Sequence, residues 1–167
     1  IQLEASYWVF DTFGEDLLAI RNDDALYRWD LSGGTGTRAV KVSAAPGTNR
    51  FLLVSSPDRH VFLMGTETTI GSSGTQDDLF LRFSSQEDFN TWAPASTNTA
   101  GSFRIQDGSK IVAAQRSRGS ILVWTDTALH ALNNIGPPFI FGLNQIGANC
   151  GAVSASAVID VNGVTFW

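Results

Sequence analysis

Few residues in this chain have types and spacings that could do chemistry. His60 and His130 lie far apart, and Cys150 is the sole cysteine, so no internal disulfide and no zinc-type ligand spacing is available. Serine-hydrolase chemistry needs an exposed serine with a histidine base and an acid. Gly71-Ser72-Ser73-Gly74 lacks the G-x-S-x-G elbow, and both histidines sit among apolar neighbours in expected strands. Gly33-Gly34-Thr35-Gly36 has the glycine content of a phosphate-cradling loop, but no Lys-Ser/Thr pair and no helix follow it, so it reads as a plain flexible loop. Asp23-Asp24 and Asp77-Asp78 lack the alternating pattern of a calcium loop and read as turn residues.

Two further sets remain open. Glu67, Glu87 and Asp126 could supply the paired carboxylates of a glycosidase, a possibility that only their separation in space decides. Ser56-Pro57-Asp58-Arg59-His60 begins like a sialidase aspartate box, with His60 where glycine is required. Five tryptophans could stack on sugars. Trp29, Trp124 and Trp167 end expected strands and are assigned to packing, which leaves Trp8 and Trp92 as the candidate ligand or interface contacts. Trp92 is also suited to pinning the long Ser85–Gly101 loop to the body. Cys150 reads as a small apolar filler. No catalytic set, metal site or cofactor site is recognisable, so the chain reads as a scaffold that binds or assembles, not as an enzyme.

The elements that would position these residues are strands. The 167 residues carry a net charge of −5 and only 16% charged side chains, against roughly 25% in ordinary domains. A Lys/Arg patch for reading DNA sequence is not expected, and no apolar run approaches the ~20 residues of a membrane-spanning helix. Short runs rich in Val, Ile, Leu, Phe and Trp alternate with Gly, Ser, Thr, Asn and Asp clusters, and no window shows helical spacing. Four units share one form, a strand, a polar turn and a strand ending in a bulky residue. They start at Leu17, Phe51, Ile111 and Ala157, a mean step of about 47 residues, as in four-stranded propeller blades. The fold class expected is therefore all-β, a propeller-like array of antiparallel blades forming one region over 1–167. Leu17–Ile20, Phe51–Val54 and Ile121–Trp124 are expected as inner strands covered on both faces, and Phe80–Phe83 as an outer strand. Asn162-Gly163 signals a hairpin that the chain leaves at Trp167, and the chain opens Ile1-Gln2-Leu3 without Met or a leader pattern. The region is thus expected to be a partial propeller, incomplete at its end and at its start.

The succession Phe80-Leu81-Arg82-Phe83-Ser84-Ser85-Gln86-Glu87-Asp88, Trp92-Ala93-Pro94, Asn98–Ser102, Ile121–His130, Gly136–Gly142, Cys150-Gly151 and Asn162–Trp167 resembles the propeller-bearing tail proteins of short-tailed bacteriophages. That family includes the tail nozzle (tail tubular protein B) and tail stabilisation proteins, and the likeness runs from about Asp78 to Trp167. The resemblance implies a virion structural subunit: a hexameric ring below portal and adaptor, meeting tail fibres, that continues and gates the DNA channel for genome ejection. It implies no active-site residues. An acidic wall is compatible with this, since DNA passes it without the counterion release that would bind it. The competing expectations are a glycan- or receptor-binding propeller using Trp8 or Trp92, and a hydrolase fragment using the carboxylates.

Overall fold

Turn chemistry sets the strand boundaries. At the far end Asn162 and Gly163 both take positive φ (54° and 82°), as a two-residue hairpin turn requires, and they join β13 (Ile159–Val161) to β14 (Val164–Phe166). The computed structural model describes residues 5–167; the opening Ile1-Gln2-Leu3 lies outside them. Twelve further strands precede that hairpin in three runs of four. The first run is β1 (Trp8–Phe13), β2 (Asp16–Arg21), β3 (Leu26–Trp29) and β4 (Val40–Lys41). The second is β5 (Phe51–Val54), β6 (Val61–Met64), β7 (Phe80–Phe83) and β8 (Gly101–Arg104). The third is β9 (Ile111–Ser117), β10 (Ser120–Thr125), β11 (Ala128–Gly136) and β12 (Ile140–Ala148). Each run is an up-and-down antiparallel sheet with its strands in chain order. The chain is therefore all-β, with four antiparallel sheets and no α-helix among the described residues.

The four strand-turn-strand units expected from the sequence are the hairpins β2–β3, β5–β6, β9–β10 and β13–β14. The first is one strand out of phase with the others. β1 precedes it and pairs with β2 in register Trp8↔Arg21 to Phe13↔Asp16.

Side-chain alternation divides the interior into layers. On the second sheet, Leu52, Val54, Val61 and Leu63 face the first sheet and pack on Leu18, Ile20 and Leu26. Their neighbours Leu53, Phe62, Met64, Leu81 and Phe83 face the third sheet and pack on Ile121, Val123, Leu132 and Phe141. The second sheet is thus covered on both sides, which explains its unbroken apolar runs. The third sheet's far face carries Ala113, Trp124 and Leu129, covered by Cys150, Ala152 and Val158. Cys150 is the apolar filler expected. The terminal hairpin is fixed there by Asp160, whose carboxylate accepts from the Ser117 hydroxyl (2.8 Å), the Thr165 hydroxyl (2.9 Å) and the Gly163 amide (3.0 Å).

One strand differs from expectation. β7 is not outermost but third in its sheet, bonded to β6 and β8. Its polar residue Arg82 does not face water. It is buried, and its Nε donates to the Glu67 carbonyl at 3.0 Å.

Candidate functional site

The first strands of successive sheets lie side by side: β1 against β5, β5 against β9, and β9 against β13. Where they begin, the segments 7–10, 50–51, 110–112 and 153–156 line one cleft of about 530 Å³. Trp8 sits in its wall, 53% exposed, and stacks on Phe10 with ring centroids 6.0 Å apart and planes 12° from parallel. Alternation along β1 puts Trp8 and Phe10 on the same outward side, while Val9 and Phe13 pack inward. Phe10 was missed in the sequence; the signal was the Trp-x-Phe spacing within a strand. Tyr7 donates from its hydroxyl to the Arg50 carbonyl (3.3 Å), and Arg50 is held between Asp23 (3.1 Å) and Asp78 (3.0 Å). Such a cleft can stack and hydrogen-bond a ligand.

Trp92, the second candidate contact, is corrected by the structure. It is 1% exposed, packs with Leu18, Leu26 and Leu63, and donates its indole N–H to the Phe89 carbonyl at 2.8 Å. The bulk that suggested a stacking surface is instead buried in the core, where it pins the 85–101 loop.

The remaining candidates are dispersed. Glu67 is buried in a loop network, Glu87 pairs with Arg59 at the surface (2.8 Å), and Asp126 accepts from the Ser109 hydroxyl (2.6 Å) and amide (2.8 Å). None of the three lines the cleft beside Trp8, nor those lined by Arg28 and Phe89, by Phe103 and Phe139, or by Asp58 and Arg116. The Ser109 hydroxyl and amide hold the Asp126 carboxyl below the ordinary range, the opposite of what a general acid needs. Gly33 and Gly34 close a tight turn by donating to the Asp30 and Leu31 carbonyls, so their amides are not free to cradle phosphate. No group of three or more His, Cys, Asp or Glu side chains suited to a metal ion occurs among the described residues.

Both histidines are buried, and neither lines the cleft. His130 faces Asp107, Nε2 to Oδ2 at 3.4 Å. His60 stands edge-on to Phe83 and Phe141, with Nδ1 2.8 Å from the Ser84 carbonyl, which requires the proton on Nδ1. Burial lowers the His60 pKa below its ordinary 6.5, outweighing the Ser84 carbonyl and Asp58, which act to raise it. The unfolded chain therefore binds the His60 proton at a higher pH than the folded one. Stability contributed by neutral His60 is intact above about pH 6.5 and falls as the pH drops through that value towards the lowered folded pKa. NMR titration is expected to place the folded midpoint below that of a free histidine. Replacement by Gln is expected to flatten the loss of stability on acidification in this window.

No protein-family model and no curated protein matches the chain.

Proposed function

We propose that the chain is a structural assembly module, a propeller-like array of blades from the tail nozzle or hub of a short-tailed bacteriophage, without enzymatic activity. The observation that carries the assembly reading is the apolar surface at the two ends of the sheet order. The first sheet presents Trp8 and Phe10, and the terminal hairpin presents Ile159, Val161, Val164 and Phe166, each about half exposed. In the hairpin these four are cross-strand partners, Ile159 with Phe166 and Val161 with Val164, so they form one continuous face. A monomer would leave both faces wet, whereas neighbouring subunits would cover them. The serial contact of β1, β5, β9 and β13 around one cleft supports a radial arrangement of the sheets. The phage assignment rests on the resemblance over residues 78–167. The net charge of −5 suits a channel that lets DNA pass without binding it.

Electron microscopy of the purified protein and of virions tests this reading. Six-fold rings seated on a tail are expected, and Trp8→Ser with Phe10→Ser is expected to shift the mass distribution towards monomer. A protein that stays monomeric and is absent from virions would sink it. The Trp8–Phe10 stack favours a second reading, a glycan-binding module. Sugar-specific signal on a glycan array, lost in Trp8→Ala, would replace the structural reading.

A further inference from the structure

We propose that the cleft between β4 and the Phe89-Asn90 segment binds a compact tetrahedral anion, a phosphate or sulfate group on a ligand no larger than a nucleotide. The cleft holds about 490 Å³, within the roughly 300–1,000 Å³ of small-ligand sites. Three cations, Arg28, Arg38 and Lys41, line it with one carboxylate, Asp30, and a second, Asp16, holds Arg28 from beside it, which leaves a local excess of one positive charge. This excess stands out in a chain whose net charge is −5.

The state of each cation points to a ligand. Arg28 is immobilised: its Nε donates to Asp16 (2.7 Å), its Nη2 donates to Asp30 (3.0 Å), and its guanidinium lies over the Phe89 ring at 5.1 Å. Its Nη1 remains available. Elsewhere Arg21, Arg50, Arg59, Arg104 and Arg116 are each paired with a carboxylate. Arg82 and Arg118 donate to backbone carbonyls. Among the described residues, Arg38 and Lys41 take part in no such contact, and both line this same cleft. Ser43 and Asn90 add neutral donors. Arg28 is neutralised by its two carboxylates, whereas Arg38 and Lys41 are unpaired cations in one cleft, and an anion bridging them relieves their repulsion with charge-assisted hydrogen bonds.

The same pairing pattern limits the ligand's size. A nucleic-acid strand needs a basic track running beyond one pocket. Here the other arginines are already neutralised by carboxylates or spent on carbonyls, so no track leads away from the cleft. β4 is also a free sheet edge, where a lysine can serve simply to block pairing with other strands.

The test is NMR titration of the whole chain at constant ionic strength with inorganic phosphate, inorganic sulfate, adenosine monophosphate and a single-stranded oligonucleotide. Saturable shifts at Arg38, Lys41 and Asn90 are expected with the small anions. Arg38→Gln with Lys41→Gln should weaken binding by about tenfold or more, while the remote Arg118→Gln leaves it unchanged. Unperturbed spectra for the double variant would show that its fold is retained. Tighter binding of the monophosphate than of phosphate would identify a nucleotide-like ligand, and equal binding a free ion; both support the site. Absence of saturation, or equal affinity in the double variant, overturns it. So does an oligonucleotide that outbinds the mononucleotide with a salt dependence of several phosphates. Self-association of the double variant with no anion binding by the wild type would make the cations guards of the β4 edge and end the proposal.

Discussion

Phe62→Ala is expected to destabilise the fold by about 3–5 kcal/mol. Phe62 is 0% exposed and sits on β6 at the centre of the layer between the second and third sheets. Its ring lies 5.5 Å from that of Phe83 and 5.1 Å from that of Phe141, the latter edge-on. Phe83 belongs to the same sheet, but Phe141 belongs to β12, so the triad joins two sheets that share no ladder hydrogen bonds. Truncation removes the contacts and leaves a void that cannot readily close, because β6 is bonded on both sides, to β5 and to β7. Phe10→Ala, on an outward face, is expected to cost less than about 1 kcal/mol. Urea unfolding of both variants checks the contrast. A loss under about 1 kcal/mol for Phe62→Ala would mean that the two sheets do not depend on this layer.

The strand units were legible because turns and apolar runs are local signals. Asn162-Gly163 dictates a hairpin by backbone conformation alone, and Phe51–Val54 announces a strand buried on both faces. The phase of the first sheet was not legible. β1 reads Trp-Val-Phe-Asp-Thr-Phe, and its role as a sheet's first strand depends on pairing with β2 and on packing against β5, neither of which is encoded locally. Arg82 shows the same limit. An arginine in a strand signals solvent until one knows that the 65–76 loop folds back to offer it two carbonyls, those of Glu67 and Thr68.

The sites divide in the same way. Trp8 and Trp92 carry the same side chain and stood equal as candidates. One strand face leaves the first in a cleft, and the loop's path buries the second. Nothing within a few residues of either distinguishes them. Arg38 and Lys41 went unnoticed because a free cation is defined by the partners it lacks. That becomes visible only when every other arginine has been matched to its acceptor.

Glu67→Ala is expected to cost about 3–5 kcal/mol and to loosen the 65–76 loop. The side chain is buried, and both carboxylate oxygens are engaged. Oε1 accepts from the Gly47 amide (3.0 Å) and the Thr48 hydroxyl (3.3 Å), and Oε2 accepts from the Gly71 amide (2.7 Å). The approach is close: a Cβ at Gly47 would lie 3.0 Å from Oε1, so a larger residue there would displace the carboxylate by a few tenths of an ångström. Glu67 also lies close enough to Arg82 to favour that buried cation's charged form, against the burial that lowers its pKa. Deleting the carboxylate therefore removes the acceptor of two backbone amides, at half-buried Gly47 and exposed Gly71, and leaves the buried Arg82 cation without its nearby counter-charge. Glu67→Gln keeps the shape but turns an N–H towards a donor, so an intermediate loss of about 1–3 kcal/mol is expected. Denaturant unfolding gives the magnitudes, and hydrogen exchange at the Gly47 and Gly71 amides locates the change. In a double-mutant cycle, Arg82→Met is expected to cost less in the Glu67→Ala background than in the wild type, because the uncompensated charge is then gone. If Glu67→Ala costs no more than Glu87→Ala at the surface, the carboxylate does not hold this loop, and the mutual burial of Glu67 and Arg82 needs another cause.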